Sequence, residues 1–210
     1  MRRFLALIYL SSTFALSPCC RTPSSNEVTQ QEYEVYSSII QLGWLPQAST
    51  SCPQKPDNSH AILVVDRTLT GKEVSFHLDE LKKSSEIVKS IPPGILAKYE
   101  QLLGEAPSLL GNISLFHTTL KPILIKETQT VHICDHPEDW GAFFKQYPGS
   151  LETFLMFSRV SFDSTGTLAF VYVRQHGCGF GSAGYFWLLE KSHNKWHKSE
   201  KLPHGWGWNS

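Results

Sequence analysis

Hydrophobic residues recur at helical spacing through much of the first two-thirds of the chain. The spacing predicts helices over Tyr33–Leu42 and Pro93–Leu103, the second with a proline in its first turn, and a weaker helix over Leu78–Ile91. A fourth helix is expected over Asp135–Tyr147. Its first residue is a good N-cap, and Glu138, three residues later, can reach back to the amide of that cap.

Short apolar and β-branched runs predict strands, which become frequent toward the C-terminus. The last four are separated by turn sequences, as in an antiparallel meander. The predicted strands are Ala61–Val65, Pro122–Lys126 leading into a strand over Thr130–Ile133, Phe154–Phe162, Leu168–Arg174, Tyr185–Glu190 and Lys195–Lys201. The pattern therefore predicts one α+β domain, with N-terminal helices packed on a C-terminal antiparallel β-meander.

Two of these strands are apolar at consecutive positions. Leu168–Val173 reads LAFVYV and Tyr185–Leu189 reads YFWLL, without polar alternation. Both faces of the central sheet must therefore be covered. Helices can cover one face, and the other requires further chain, a partner or a partly filled apolar concavity. This face is the strongest sequence argument for a binding surface.

The first residues are typical of an export signal. Arg2 and Arg3 supply positive charge, and Phe4–Leu16 is a largely apolar run of 13 residues. A membrane anchor needs about 20 apolar residues, so this run is expected to be removed rather than kept in a bilayer. We divide the chain into a signal peptide over residues 1–19, a flexible polar tether over 20–31 and a single domain over 32–210.

The segment Leu16-Ser17-Pro18-Cys19 resembles the lipobox of bacterial lipoproteins. The resemblance implies that Cys19 is acylated and becomes the mature N-terminus, although Pro18 stands where a small residue is usual. Cys20 fits less well, because Ser17 rather than a leucine lies three residues before it. Cleavage and release without a lipid is the alternative, and both routes place the chain in the bacterial envelope or outside the cell.

Charge and composition exclude two classes of protein. Removal of residues 1–19 takes away two of the 19 basic residues and none of the 19 acidic ones, so the mature chain carries a formal net charge of −2. A protein that binds nucleic acid would show a basic tract, so no nucleic-acid partner is expected. With 41% hydrophobic and 12% aromatic residues, the bulk of the chain is not disordered.

Three cysteines lie outside the signal region, at Cys52, Cys134 and Cys178. An odd number in an oxidising compartment allows one disulfide and one free thiol, and the sequence does not select the pair. None of them has the C-x-x-C spacing of a metal site.

The segment Arg174–Phe186, RQHGCGFGSAGYF, contains four glycines, a cysteine and a histidine. A phosphate cradle needs such a loop between a strand and a helix, whereas this loop leads from one predicted strand into another. We therefore interpret the glycines as serving the backbone geometry of a hairpin. A thiol nucleophile at Cys178 beside His176 is the alternative, but no third residue that would orient the pair is identifiable.

The strongest indication of a metal site is the group His132, Cys134 and His136. On a strand the three side chains would point the same way, and all three are competent zinc ligands. The helix start predicted at Asp135 would break that common face. We therefore favour surface histidines and expect neither a metal nor another cofactor.

Two tryptophans near the C-terminus, Trp206 and Trp208, admit two interpretations. They are either exposed aromatics that bind a ligand or residues that a terminal strand packs onto the body of the domain. His193 and His197 straddle a predicted turn and are interpreted as the solvated tip of a hairpin.

Four segments resemble a group of bacterial exported and lipoprotein-like proteins. That group shares a helix ending in YPGS, a strand reading SRVGF, a strand resembling ALVYV and a glycine-containing loop before a strand resembling YYVLLEK. The matching segments here are Tyr147–Ser150, Phe157–Phe162, Leu168–Val173 and Gly184–Lys191, within Trp140–Trp196. The resemblance implies the fold and export, and it transfers no catalytic residue.

These patterns lead to two hypotheses about function. The first is a non-catalytic exported or lipid-anchored binding or accessory protein, whose partner is another protein or a small ligand and whose contact with a membrane is limited to the N-terminal lipid. The alternative is an envelope hydrolase, either metal-assisted around His132 and His136 or thiol-based at Cys178. We favour the first, because the sequence shows no catalytic constellation.

Overall fold

The computed structural model describes residues 27–42, 60–177, 181–202 and 205–209. The helices in these ranges are α1 (Gln30–Gln41), α2 (Gly71–Lys83), α3 (Ser85–Ser90), α4 (Pro93–Leu103), α5 (Glu127–Asp135) and α6 (Trp140–Lys145). The strands are β1 (Ala61–Val65), β2 (Lys121–Ile125), β3 (Ser150–Phe157), β4 (Ser161–Phe162), β5 (Leu168–Gly177), β6 (Ser182–Ser192), β7 (Lys195–Lys198) and β8 (Trp206–Asn209). The α+β class is as predicted.

The strands form one mixed sheet, curled into half a barrel, rather than a purely antiparallel meander. Its order is β2-β1-β3-β5-β6-β7, with β4 beside β5 and β8 beside β6. β1 runs parallel to both β2 and β3, and the remaining pairs are antiparallel. Parallel pairing needs long crossovers, and helices supply them here: α2 to α4 lie between β1 and β2, and α5 and α6 lie between β2 and β3. The helices are therefore not confined to the N-terminal part.

Local signals place several elements where they were expected. α4 and β1 have the predicted bounds, and α1 begins three residues before the predicted start. That earlier start follows from a capping box: the Thr29 hydroxyl accepts from the amide of Glu32, and the Glu32 carboxylate accepts from the amide of Thr29. The tight turn before β5 uses Gly166 at φ +68°, a backbone conformation that favours glycine.

The prediction of a strand over Thr130–Ile133 is wrong, because these residues belong to α5. The Gln129 side chain accepts from the amide of Lys126 and so caps the start of that helix, which outweighs the β-branched composition. The predicted N-cap at Asp135 is also wrong. Asp135 is the last residue of α5. Pro137 lies two residues beyond the end of that helix, where a proline is common.

The predicted strand Phe154–Phe162 is interrupted. β3 ends at Phe157, and β4 begins at Ser161 after a short crossing segment. Ser158 lies in this crossing and is fully buried. Its hydroxyl accepts from the Tyr99 hydroxyl (2.8 Å) and the Tyr172 amide (2.9 Å) and donates to the Arg159 carbonyl (2.9 Å), while its own carbonyl accepts from the Tyr36 hydroxyl (2.8 Å). The Ser158 amide still donates to the Tyr172 carbonyl (2.9 Å), and the side-chain contacts add links to α1 and α4.

Both faces of the sheet are covered by the chain itself. Along β5, Phe170 and Tyr172 pack into a core beneath α2 to α6, whereas Ala169 and Val171 pack into a second core beneath α1. All four are fully buried. The apolar face that seemed to need a cover therefore receives one from α1.

Several sequence predictions fall outside the described ranges. These are the signal peptide, the first part of the tether, and the cysteines Cys19, Cys20, Cys52 and Cys178. Within those ranges, no helix combines the length and the apolar character that crossing a membrane requires.

Candidate ligand-binding site

A cleft of about 260 Å³ opens between α5 and the start of α2, above strands β3 and β5. It contains charged groups of both signs, a thiol, an imidazole and apolar side chains. The lining residues are Arg67, Glu73, Glu127, Thr130, Val131, Cys134, Asp135, Phe154, Met156, Arg174 and His176. We refer to this feature as the α2–α5 cleft.

The topology of the sheet explains why these residues meet. β1 and β2 are parallel, so Arg67, just after β1, and Glu127, just after β2, emerge at the same edge of the sheet. β3 and β5 are antiparallel, and their register sets Met156 opposite Arg174. Because strand side chains alternate between faces, Phe154 and Met156 of β3 lie on the same face as Arg174 and His176 of β5, and all four line the cleft.

Arg67 fixes one wall of the cleft. Its guanidinium binds both oxygens of Glu73 at 2.7 and 3.0 Å and also binds Glu127, which joins the start of α2 to the start of α5. Burial opposes ionisation of Glu73, but the hydrogen bonds from Arg67 and Thr70 outweigh it, and the pKa of the carboxyl is lowered. Glu73 and Glu127 therefore neutralise the charge of Arg67 within the protein.

Arg174 differs from Arg67 because no carboxylate of the residues that the structure describes pairs with it. Its Nε lies 3.4 Å from the Ser182 hydroxyl, and its guanidinium lies 5.8 Å from the centre of the Trp208 ring. No carboxylate of the described residues lies within ion-pair distance of it. Arg174 is half-buried. It therefore presents to the cleft a positive charge that no described carboxylate neutralises.

Trp208, which lies beside the Arg174 guanidinium, is itself held by other aromatic residues. The Trp208 ring stacks on His77 at 4.4 Å, and its indole N–H donates to the Tyr172 hydroxyl at 2.9 Å. β8 pairs with β6 and brings Trp208 into this position, while Trp206 packs at the edge of the core. Of the two interpretations of these tryptophans, the structure therefore supports packing onto the body of the domain.

The titratable groups near Arg174 are held in their neutral forms. Burial and the nearby guanidinium lower the pKa of His176 to about 4, and the same two causes lower the pKa of His77. Burial and the Asp135 carboxylate raise the pKa of the Cys134 thiol, although Arg174 opposes this shift. At neutral pH the cleft is therefore lined by the neutral imidazole of His176 and the protonated thiol of Cys134.

The glycine segment connects two strands, as predicted. β5 runs to Gly177, β6 begins at Ser182, and the Gly177 amide donates to the Gly181 carbonyl at 3.0 Å. Gly184 has a separate role within β6: a β-carbon there would lie 2.0 Å from the Tyr172 hydroxyl and 2.6 Å from the Trp208 indole nitrogen. Close approach of two aromatic side chains therefore requires this glycine. Cys178 itself lies outside the described residues.

The histidines suggested as metal ligands do not join Cys134. His132 and Cys134 lie on α5 and His136 directly follows its last residue; the rings of the two histidines are 4.7 Å apart, whereas Cys134 lines the cleft. His132 contacts Asp139, and His136 contacts Glu138, each at 3.4 Å. Within the described ranges, no three His, Cys, Asp or Glu side chains are placed to hold one metal ion.

A larger depression, of about 460 Å³, lies between α3 and α4. Its walls are mainly apolar, and its charged residues are Lys89 and Glu100. Ligand sites usually combine an apolar wall with several convergent polar groups, which the α2–α5 cleft has and this depression lacks. We therefore consider the smaller cleft the functional candidate.

Sequence reasoning named His176 and Cys134 but did not place them in one site, and it missed Arg174. A signal was present: Arg174 and His176 continue, at period two, the face that carries Phe170 and Tyr172. No family model, curated protein or solved structure matches the chain.

Proposed function

We propose that this chain is an exported protein of the bacterial envelope that binds a small ligand in the α2–α5 cleft without transforming it. The N-terminal segment supports export, and the lipobox-like sequence supports attachment of a lipid to Cys19. The observation that carries the binding proposal is Arg174, a half-buried guanidinium without a carboxylate partner among the described residues.

Placing a guanidinium in a partly dehydrated position has a cost that is normally offset by an anion. Arg67, in the same cleft, shows the usual solution, with two carboxylates around it. Among the described residues, Arg174 has a hydroxyl and an aromatic ring rather than a carboxylate beside its guanidinium. An acidic group of a ligand would complete its hydrogen bonds, and charge-assisted bonds to arginine are among the stronger ones that proteins make.

The neutral state of the neighbouring groups favours binding over catalysis. A cysteine nucleophile needs a lowered pKa, whereas the pKa of Cys134 is raised. A general base works best with a pKa near the working pH, whereas the pKa of His176 is about 4. These groups are suited to shaping and lining a site rather than to reacting in it.

Binding in the cleft is tested with a panel of small carboxylates, phosphates, sugars, amines and amino acids, followed by methyl NMR of Val131 and Met156. We expect at least one compound to shift these signals. A Thr128→Trp variant, changed at an exposed position of α5 that does not line the cleft, is expected to keep the response.

A Val131→Trp variant fills the mouth of the cleft and provides the decisive comparison. We expect Val131→Trp to lose the ligand-induced shift of the Met156 methyl signal, which the Thr128→Trp variant keeps. If no compound in the panel shifts the cleft signals, or if Val131→Trp binds as well as the unchanged protein, the binding proposal is wrong.

Export and lipidation have a separate test. Full-length protein expressed in a bacterium with labelled palmitate is expected to carry the label and to fractionate with membranes. Cys19→Ser is expected to abolish both, whereas Cys20→Ser keeps both. A Cys19→Ser protein that stays on the membrane would refute attachment at Cys19, and a soluble, unlabelled wild-type protein would support cleavage and release.

A further inference from the structure

We propose that the ligand of the α2–α5 cleft is a free α-amino acid with an apolar side chain, whose carboxylate binds Arg174 and whose ammonium group binds Asp135. This inference rests on the proposed binding function and adds the ligand class. It depends on the charges of the cleft, on its size and on the apolar surface that the charges leave between them.

The cleft carries unpaired charges of both signs. Arg174 has no carboxylate within ion-pair distance, and Asp135 makes no hydrogen bond or ion pair among the described residues. Both charges act on the Cys134 thiol, in opposite directions, so both lie within electrostatic reach of one atom of the cleft wall. A ligand with an acid and an amine on the same carbon would satisfy both at once.

The total charge of the lining argues against a simple anion. Two guanidiniums and three carboxylates line the cleft, and their charges, +2 and −3, sum to −1 while the imidazole is neutral. A phosphate dianion would meet net repulsion from Glu73, Glu127 and Asp135. A simple amine would leave Arg174 without an acceptor. A zwitterion with no net charge avoids both penalties.

The size and the remaining surface select a small apolar side chain. The volume of about 260 Å³ is below the roughly 300 Å³ at which sites for drug-sized ligands begin, so one amino acid suits it better than a peptide. Val131 is 53% exposed at the cleft wall, and Met156 lies in the floor. The neutral His176 ring, which stacks on Phe154 at 5.3 Å, adds a flat surface.

The test is calorimetric titration of the folded, secreted protein with L-leucine and three analogues. 4-Methylpentanoate lacks the ammonium group, leucinamide lacks the carboxylate, and glycine lacks the side chain. We expect L-leucine to bind and each analogue to bind about tenfold more weakly or worse, as the loss of a charge-assisted hydrogen bond or of a buried side chain implies.

Two variants assign the ligand groups to the protein groups. Arg174→Gln is expected to weaken L-leucine about tenfold or more and to leave the weaker binding of leucinamide unchanged. Asp135→Asn is expected to weaken L-leucine similarly and to leave 4-methylpentanoate unchanged. Lys145→Gln and Asp139→Asn, which change matched charges outside the cleft, serve as controls. Asp135 is exposed, so this variant keeps the inference testable even if Arg174→Gln perturbs the fold.

The outcomes separate this inference from the proposed function. If L-leucine does not bind while another compound shifts the cleft signals and is blocked by Val131→Trp, the ligand class is wrong and the binding function stands. The inference is also overturned if 4-methylpentanoate binds as tightly as L-leucine and Asp135→Asn has no effect. If nothing binds in the cleft, both proposals fail.

Discussion

Ser158 uses its full hydrogen-bonding capacity in the interior of the protein. A serine hydroxyl has one donor and two acceptor positions, and here the Tyr99 hydroxyl, the Tyr172 amide and the Arg159 carbonyl occupy all three. The residue therefore joins α4, β5 and the segment between β3 and β4 through one atom. Its role is structural, since no part of it lines the cleft.

Ser158→Ala is expected to lower the free energy of unfolding by roughly 2–4 kcal/mol, because it leaves two buried donors without an acceptor. Urea denaturation at neutral pH measures the change. Ser161→Ala is the matched control, since the Ser161 hydroxyl donates a hydrogen bond to the Ile95 carbonyl at 2.8 Å and its loss leaves no buried donor without an acceptor. Equal losses in the two variants would contradict the role assigned to Ser158.

His176 makes stability depend on pH. Its pKa is about 4 in the folded protein, against about 6.5 in an unfolded chain, so the unfolded state takes up a proton first as the pH falls. The stability that neutral His176 supports is therefore present above about pH 6.5 and is lost as the pH falls toward 4. At pH 5 the loss is about 2 kcal/mol.

The corresponding experiment compares the free energy of unfolding at pH 7 and pH 5. His176→Gln is expected to lose about 2 kcal/mol less than the unchanged protein between these two values. His197→Gln, at an exposed position of β7, is expected to retain the original dependence. A His176→Gln variant with an undiminished decline would show that another group is responsible.

At the scale of elements, the glycine-rich hairpin contains two glycines with different surroundings. A β-carbon on Gly184 would collide with Tyr172 and Trp208, whereas a β-carbon on Gly181 would have nothing within 4 Å. Gly184→Ala is therefore expected to destabilise the protein by about 1–3 kcal/mol and to displace the Trp208 ring. Near-UV circular dichroism and thermal unfolding would detect both effects.

Gly181→Ala is the internal comparison for that experiment, and we expect it to change stability little. If both alanine variants behave alike, the steric role of Gly184 is wrong. Gly184 also pairs with Arg174 across β5 and β6. Displacement of the Trp208 ring is therefore expected to shift the Arg174 guanidinium that lies over it.

The sequence predicted the elements whose signals are local and failed where the signals compete. α4 begins with a proline in its first turn, and β1 is an uninterrupted apolar run, so both were found with the correct bounds. α5 has β-branched residues and resembles a strand until the cap formed by Gln129 is known. The break after Phe157 depends on buried hydrogen bonds from distant residues, which no local pattern reveals.

The candidate site was less predictable than the elements. The glycine segment was correctly interpreted as a connection between strands, because the pattern on either side of it is local. Arg67, Cys134 and Arg174 come from distant parts of the chain, and parallel pairing of β1 with β2 brings Arg67 beside the start of α5. Pairing between distant strands leaves little trace in a single sequence, so the cleft became visible only in three dimensions.

At the scale of the whole molecule, α1 is held to the sheet by a buried ion pair. Glu32 is 1% exposed, and its carboxylate binds Arg159 Nε at 2.8 Å and the Val160 amide at 3.0 Å. This helix contributes Tyr33, Val35, Tyr36, Ile39 and Ile40 to the second core, so the pair links it to the segment between β3 and β4. A second pair, Glu34 with Lys191, lies nearer the surface at 2.8 Å.

Glu32→Gln is expected to lower the free energy of unfolding by roughly 3 kcal/mol, because it leaves the Arg159 guanidinium buried without its main partner. Glu34→Gln, on the same helix, is expected to cost less than about 1 kcal/mol, since its pair is partly hydrated. Chemical denaturation of the two variants provides the comparison. A loss for Glu34→Gln as large as that for Glu32→Gln would contradict this account.

The position of β1 in the sheet has a consequence for biogenesis. Its two neighbours begin at Lys121 and Ser150, so a chain synthesised from its N-terminus contains Ala61–Val65 long before either partner is present. Until then, five adjacent apolar residues have no edge to join, and such segments aggregate readily. A holdase chaperone that shields β1 until β3 has been synthesised should therefore raise the yield of folded protein.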